Sequence, residues 1–195
     1  MNERISIINR KTTETDIQLK LNLDGQGISD IQVPLPFLKH MLESFSKHSN
    51  FDLKIIATGD IENDPHHLIE DIGICLGEAI LKCLGDKKGI NRFGFAIVPM
   101  DDSEATVSID IGGRPYLVYN VDIINENINN LPVVLFEDFF RALSNNALMN
   151  IHIRKNIGIN SHHIIEAVFK AFGFALKIAT RYGGANAIPS TKGII

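Results

Sequence analysis

Residues 64–77, DPHHLIEDIGICLG, and residues 160–172, NSHHIIEAVFKAF, carry one pattern twice. Each copy opens on a residue suited to capping a helix, Asp64 or Asn160, and continues with His-His-x-x-Glu and an apolar run at helical spacing. The second copy lies 96 positions after the first throughout: His66 to His162, His67 to His163, Glu70 to Glu166. A fixed offset of this kind indicates an internal duplication.

The segments around the two copies repeat in the same order. Period-2 alternation predicts strands over 4–9, 16–23 and 52–58, with an amphipathic helix over 37–48 placed before the last of them. A second helix opens at Asp64-Pro65, with proline at its first position, and stops at Leu84-Gly85. Strands over 91–98, 105–111 and 116–121, a helix over 133–146, a strand over 150–156 and a helix from 160 or 161 to 181 follow. The expected fold is α+β, two strand-strand-helix-strand-helix halves (residues 1–90 and 91–195) whose sheets carry helices on one face. Each half hides only one side of its sheet and so needs its twin, and further copies of the chain, to cover the rest. The tail from Arg181 to Ile195, punctuated by glycine and proline, reads as extended or looped.

The 195 residues are 45% hydrophobic and 22% charged, enough for a real core, and the net charge of −4 gives no sign of a nucleic-acid or acidic-membrane partner. Cys75 and Cys83 fall eight residues apart on one helix, too far to bridge. The first residues lack the apolar stretch of a signal peptide, and no run approaches the roughly 18 apolar residues of a membrane span. The expected setting is the reducing cytoplasm.

The motif itself points to metal. On a helix Glu70 neighbours both His66 and His67, whereas the two histidines diverge by about 100°. Adjacent histidines therefore serve two different ions more readily than one, with the glutamate joining either. The positive end of the helix dipole also keeps first-turn imidazoles neutral, as ligation requires. Imidazole with carboxylate and no cysteine suits Mn, Fe, Zn or Ni and excludes a thiolate zinc site. His40, on the preceding helix, is a further candidate ligand; His152, on a strand, reads as structural. Arg92 and Arg114, at turns marked NRFG and GGRP, suit bidentate phosphate contact, and a tail holding Ser190, Thr191 and Lys192 suits an anion.

Over essentially its whole length the sequence resembles the imidazoleglycerol-phosphate dehydratases of histidine biosynthesis. The likeness rests on RKTTET (10–15), FLKHML (37–42), HSNFDL (48–53), HHLIEDIGICLG (66–77), RFG (92–94), PMDD (99–102), GGRPYLVY (112–119), HHIIEAVFKAF (162–172) and PSTKG (189–193). It implies a hydro-lyase that converts imidazoleglycerol phosphate to imidazoleacetol phosphate with two Mn ions per active site. The metal ligands it implies are His40, His66, His67 and Glu70 in the first half and His162, His163 and Glu166 in the second. Glu14 matches an acidic residue beside the substrate, and Glu14, Glu70 and Glu166 are the candidate catalytic carboxylates. Arg92, Arg114, Ser190 and Lys192 match phosphate-holding positions, with Thr191 and Lys170 close by and His40 and His48 also on the substrate side. The family assembles as 24-subunit shells with active sites between subunits.

The chain departs from the pattern at Asp138, where the family commonly has histidine. Asp138 lies 98 positions after His40 and is its counterpart in the second half. It either ligates through oxygen, the reading preferred here, or leaves its ion one protein ligand short. Lys39, Asp102 and Gly113 are smaller departures. A two-metal phosphoester hydrolase and a non-catalytic shell stapled by metal are the competing readings; phosphate release would mark the first, and chelation that dissolves the assembly with no activity to lose would mark the second.

Overall fold

The computed structural model describes residues 3–62, 64–124, 126–184, 187–193 and 195. Its elements run β1 (Ile5–Lys11), β2 (Thr15–Asn22), β3 (Ser29–Gln32), α1 (Pro36–Ser49), β4 (Asp52–Gly59), α2 (His66–Leu84), β5 (Phe93–Met100), β6 (Ser103–Asp110), β7 (Tyr116–Asn120), β8 (Asn127–Ile128), β9 (Leu131–Pro132), α3 (Leu135–Ala147), β10 (Asn150–Ile157) and α4 (Ser161–Thr180). Two four-stranded sheets share one topology, β1-β2-β4-β3 and β5-β6-β10-β7. In each, the last strand pairs parallel to its neighbour and all other pairs are antiparallel. The duplication read from the motif is therefore a duplication of the fold. Each half also holds a strand ahead of its first helix, β3 or β7. The sequence reading has no counterpart of β3, a strand of four residues whose single buried side chain, Ile31, offers no alternation to detect.

Alternation explains the sheets. Ile17, Leu19 and Leu21 on β2, with Leu53, Ile55 and Ala57 on β4, turn inward and are buried, as are Ala105, Val107, Ile109, Ile151 and Ile153 in the second sheet. The four helices lie on these inner faces and pair crosswise. The long helix of each half covers its own sheet, α2 on β1 and β2 and α4 on β5 and β6, while α2 packs on α3 and α1 on α4 across the halves. Phe45, Phe136, Phe139, Phe140, Phe169 and Phe172 fill the layer between them as one chain of ring contacts. Arg4 fastens the first strand to the end of the last helix: it pairs with Asp24, donates to the Thr180 carbonyl at 2.5 Å and lies over the Tyr182 ring.

The helix starts follow the expected chemistry. Asp64 Oδ1 accepts from the His66 amide at 2.8 Å, and Asn160 Oδ1 from the His162 and His163 amides at 2.9 and 3.4 Å. Cys75 and Cys83 are free and buried. No helix among the described residues is long and apolar enough to cross a membrane. In the tail, Tyr182 forms an isolated bridge with Ile90 and the Gly89 amide donates to the Ala187 carbonyl; residues 185, 186 and 194 lie outside the described residues.

The α2–α3 contact depends on two glycines one turn apart. A Cβ at Gly73 would meet the Phe139 carbonyl oxygen at 2.5 Å, and one at Gly77 the Leu143 carbonyl oxygen at 2.7 Å. Both obstacles are backbone and cannot swing aside. Alanine gains roughly 1 kcal/mol over glycine as a helix former, yet Gly73→Ala is expected to destabilise the fold, because overpacking costs about 1–3 kcal/mol and here moves a helix. Denaturant unfolding of the variant measures this; a raised midpoint would contradict the close approach.

Candidate active site

The crosswise pairing decides which ligands meet. His40, in the second turn of α1, faces the start of α4, where His162 Nε2 lies 3.3 Å and His40 Nε2 3.6 Å from the same Glu166 Oε2. The three donor atoms all fall within 4.8 Å of one another. Two donors on one ion, each about 2.0–2.2 Å from it, stand roughly 3–3.5 Å apart, so the trio fits a divalent cation. Phe37 sets its ring edge-on to His162 at 5.0 Å and closes the apolar side. Lys170, one turn further along α4, pairs with Glu166 at 2.9 Å. Burial pushes the Glu166 carboxyl up, but Lys170 and His40 outweigh it and hold the group below its ordinary value. His40 thus sits with the second-half motif, not with the first-half residues with which its sequence position groups it.

The pseudo-symmetric place holds His66, Glu70 and Asp138. His66 Nε2 lies 3.5 Å from Glu70 Oε2, and α3 brings Asp138 Oδ2 to 3.5 Å from the other ring nitrogen, Nδ1. Asp138 and Glu70 therefore address opposite edges of the imidazole, and these three do not converge as the first trio does. The rings of His67 and His163 stand nearly perpendicular to those of His66 and His162, at 84° and 82°, and take other carboxylates as partners. In both copies the two adjacent histidines face different carboxylates.

Three carboxylates that motif reasoning overlooked as partners take up the outward histidines. Asp60, just after β4, lies 3.3 Å from His67 Nδ1 and raises the imidazole's pKa. Asp102, in the β5–β6 turn, lies 2.6 Å from His163 Nδ1, and Asp101 lies 3.5 Å from its Nε2. An acid in a turn is too common to single out from sequence; only the register that puts each turn beside a helix start identifies it. Asp102 also accepts from the Ile159 and Asn160 amides at 3.1 and 3.2 Å, so His163 and these amides hold its carboxyl well below the usual range.

Glu14 is exposed in the β1–β2 turn; its carbonyl accepts from the Asp60 amide at 3.2 Å, and its charge adds to the pull on His67. His48 lies against Phe174 at the far end of α1, where burial and then Lys170 lower its pKa. Arg92, Arg114, Ser190, Thr191 and Lys192 come together around a cavity of about 320 Å³ with Gly112 and Gly113. Arg92 is already engaged there, forked onto Asp110 at 2.7 and 3.1 Å and donating to the Pro189 carbonyl at 2.9 Å. The side chains of Arg114 and Lys192 have no protein partner among the described residues, which leaves two cations for an anion. Lys170 does not line this cavity. Burial pushes the Cys75 thiol up to about 12, which makes it a poor nucleophile. His152 is exposed on β10.

The Imidazoleglycerol-phosphate dehydratase family model matches residues 33–176, a span that holds both copies of the motif and all the carboxylates that face its histidines. The chain belongs to this family. A dehydratase of Thermodesulfovibrio yellowstonii is 54% identical over 192 residues, 98% of this chain and 100% of its own length. The chloroplastic enzyme 1 of Arabidopsis thaliana is 47% identical over 98% of this chain and 72% of its own. Among solved imidazoleglycerol-phosphate dehydratases, the Staphylococcus aureus structure superposes with a TM-score of 0.83 at 40% identity, covering 91% of this chain and 99% of its own. The Pyrococcus furiosus structure, a complex with (S)-C348, gives 0.84 at 38%, covering 96% and 100%. Family membership makes the chain a hydro-lyase, and the α+β fold is the family's own.

A carboxyl held below its unfolded value of about 3.9 contributes stability above that pH and loses it as the pH falls towards the depressed value. Asp102 is such a group. Hydrogen-exchange protection at Ile159 and Asn160 should persist near neutrality and fall away below about pH 4. In Asp102→Ala it should be missing throughout; equal protection in the variant would show that the carboxylate does not hold this turn.

Proposed function

We propose that the chain dehydrates imidazoleglycerol phosphate to imidazoleacetol phosphate in histidine biosynthesis, in the cytoplasm, with two Mn(II) ions per active site. The observation that carries the metal reading is the convergence of His40 and His162 on one oxygen of Glu166. His66 and Glu70 would hold the second ion, and His67 and His163, aimed away from both groups, would complete sites on neighbouring subunits. A homo-oligomer is supported by those outward histidines and by apolar side chains left exposed on the outer sheet faces, among them Ile7, Phe93, Phe95 and Ile97; the 24-subunit shell is what the family resemblance implies.

The substrate offers a phosphate, an imidazole ring and a hydroxyl next to a carbon-bound hydrogen. Arg114, Lys192 and Ser190 would bind the phosphate, with Arg92 fixing the tail that supplies Ser190 and Thr191. His48 and Lys170 border the His40 site and would line the ring's approach. When bound, the ions supply Lewis acidity that stabilises negative charge on the ring. Glu14, exposed in the turn whose charge acts on His67, would take the carbon-bound proton and pass it to the departing hydroxyl as the neighbouring carbon–oxygen bond breaks, releasing water; the enol then gives up its hydroxyl proton and takes one on carbon to become the ketone. Glu70 and Glu166 act from the metal side, keeping their histidines in register.

Purified protein with counted Mn(II), given imidazoleglycerol phosphate, should form the ketone and retain the phosphate. Inorganic phosphate as product would instead indicate a phosphoester hydrolase, and no product at full metal occupancy would overturn the reading. Glu14→Gln should keep both ions and lose roughly 10²–10⁴-fold in turnover, the size of a general acid–base contribution. His40→Ala and His162→Ala should each halve the bound metal and, combined, remove no more than either alone, because both serve the same ion.

A further inference from the structure

Two of the four motif histidines hydrogen-bond a carboxylate through Nδ1, His67 with Asp60 at 3.3 Å and His163 with Asp102 at 2.6 Å, and His66 turns the same ring edge to Asp138 at the longer distance of 3.5 Å. The repeated choice of one ring edge is what tautomer control requires. A carboxylate that accepts Nδ1–H leaves the Nε2 lone pair free and fixes the plane of the ring, and such partners typically change metal affinity by about 10–100-fold. Asp138 completes this set. It occupies the position on α3 that His40 occupies on α1, but an aspartate side chain is shorter than a histidine. From the α3 backbone it meets the near edge of His66, whereas His40 reaches Glu166 with its far nitrogen. Among the described residues, Glu70 is the group that the free Nε2 of His66 faces.

We infer that Asp138 is a positioning residue that accepts a hydrogen bond from His66 Nδ1 and does not coordinate the metal. This rests on the proposed metal reading of His66 and Glu70. It makes the two ions unequal. The ion at His40, His162 and Glu166 has three ligands from this chain; the one at His66 and Glu70 has two and keeps a further coordination position for water or substrate. The side chain is about one-third exposed, so its replacement leaves the core intact.

Cobalt(II), titrated into the full chain after chelator stripping, reports ligand number through its visible absorption. The wild-type chain should bind cobalt in two increments. Asp138→Ala should weaken one increment roughly 10–100-fold with band positions and intensities at saturation unchanged. Asp138→Asn, whose amide oxygen still accepts from Nδ1, should recover most of the affinity. An intensified or shifted spectrum in Asp138→Ala marks a lost ligand and overturns the inference alone, as does failure of Asp138→Asn to improve on alanine. A wild-type chain that binds no cobalt overturns the metal reading and this inference with it.

Discussion

Two sheets, each apolar on one face, must be covered at once, and four helices between them do this only by crossing from one half to the other. The pairing of α2 with α3 and of α1 with α4 is therefore the constraint from which the rest follows. It is tight enough that Gly73 and Gly77 meet backbone directly, and it brings the first turns of α2 and α4 beside the N-terminal parts of α3 and α1. The group of His40, His162 and Glu166 is consequently drawn from both halves, and the pair of His66 and Glu70 meets Asp138 only across them. Neither half alone holds His40 with Glu166, or His66 with Asp138.

The chemistry is arranged on the same helix starts. Asp64 and Asn160 tie down the amides beneath the histidines, so the backbone that carries the imidazoles is fixed before any ion binds. The dipole at those ends favours neutral rings, while the carboxylates at Nδ1 pull the other way and raise the affinity of His67 for a proton. Asp102 is held by two backbone amides as well as by His163, which fixes the turn that carries it. The anion cavity is organised separately. There Arg92 uses its fork on Asp110 and leaves the net charge to Arg114 and Lys192.

Much of this was legible in the sequence. The 96-residue offset revealed the duplication, alternation placed the long strands to within two or three residues at each end, and helical spacing foretold that adjacent histidines point apart. The partnership of the halves was not legible. Nothing local to FLKHML says that His40 will lie against a helix that begins 121 residues later, because that contact is created by burying the two sheets together. β3 was lost to brevity. Asp60 was lost because its role depends on where a turn falls against a helix. Asp138 was visible as an oddity, but which edge of His66 it meets depends on the reach of a side chain from a particular backbone.

Asp138 also shows what joining the halves in one chain makes possible. A half-length protein that paired with itself would place the same residue in both symmetric positions, and any change would strike both candidate metal groups together. In the joined chain, His40 and Asp138 are separate codons at equivalent places. Under the metal reading proposed above, the group at His40 would be free to hold its ion tightly while that at His66 is loosened for exchange, a division of labour that a strictly symmetric dimer has no means of encoding.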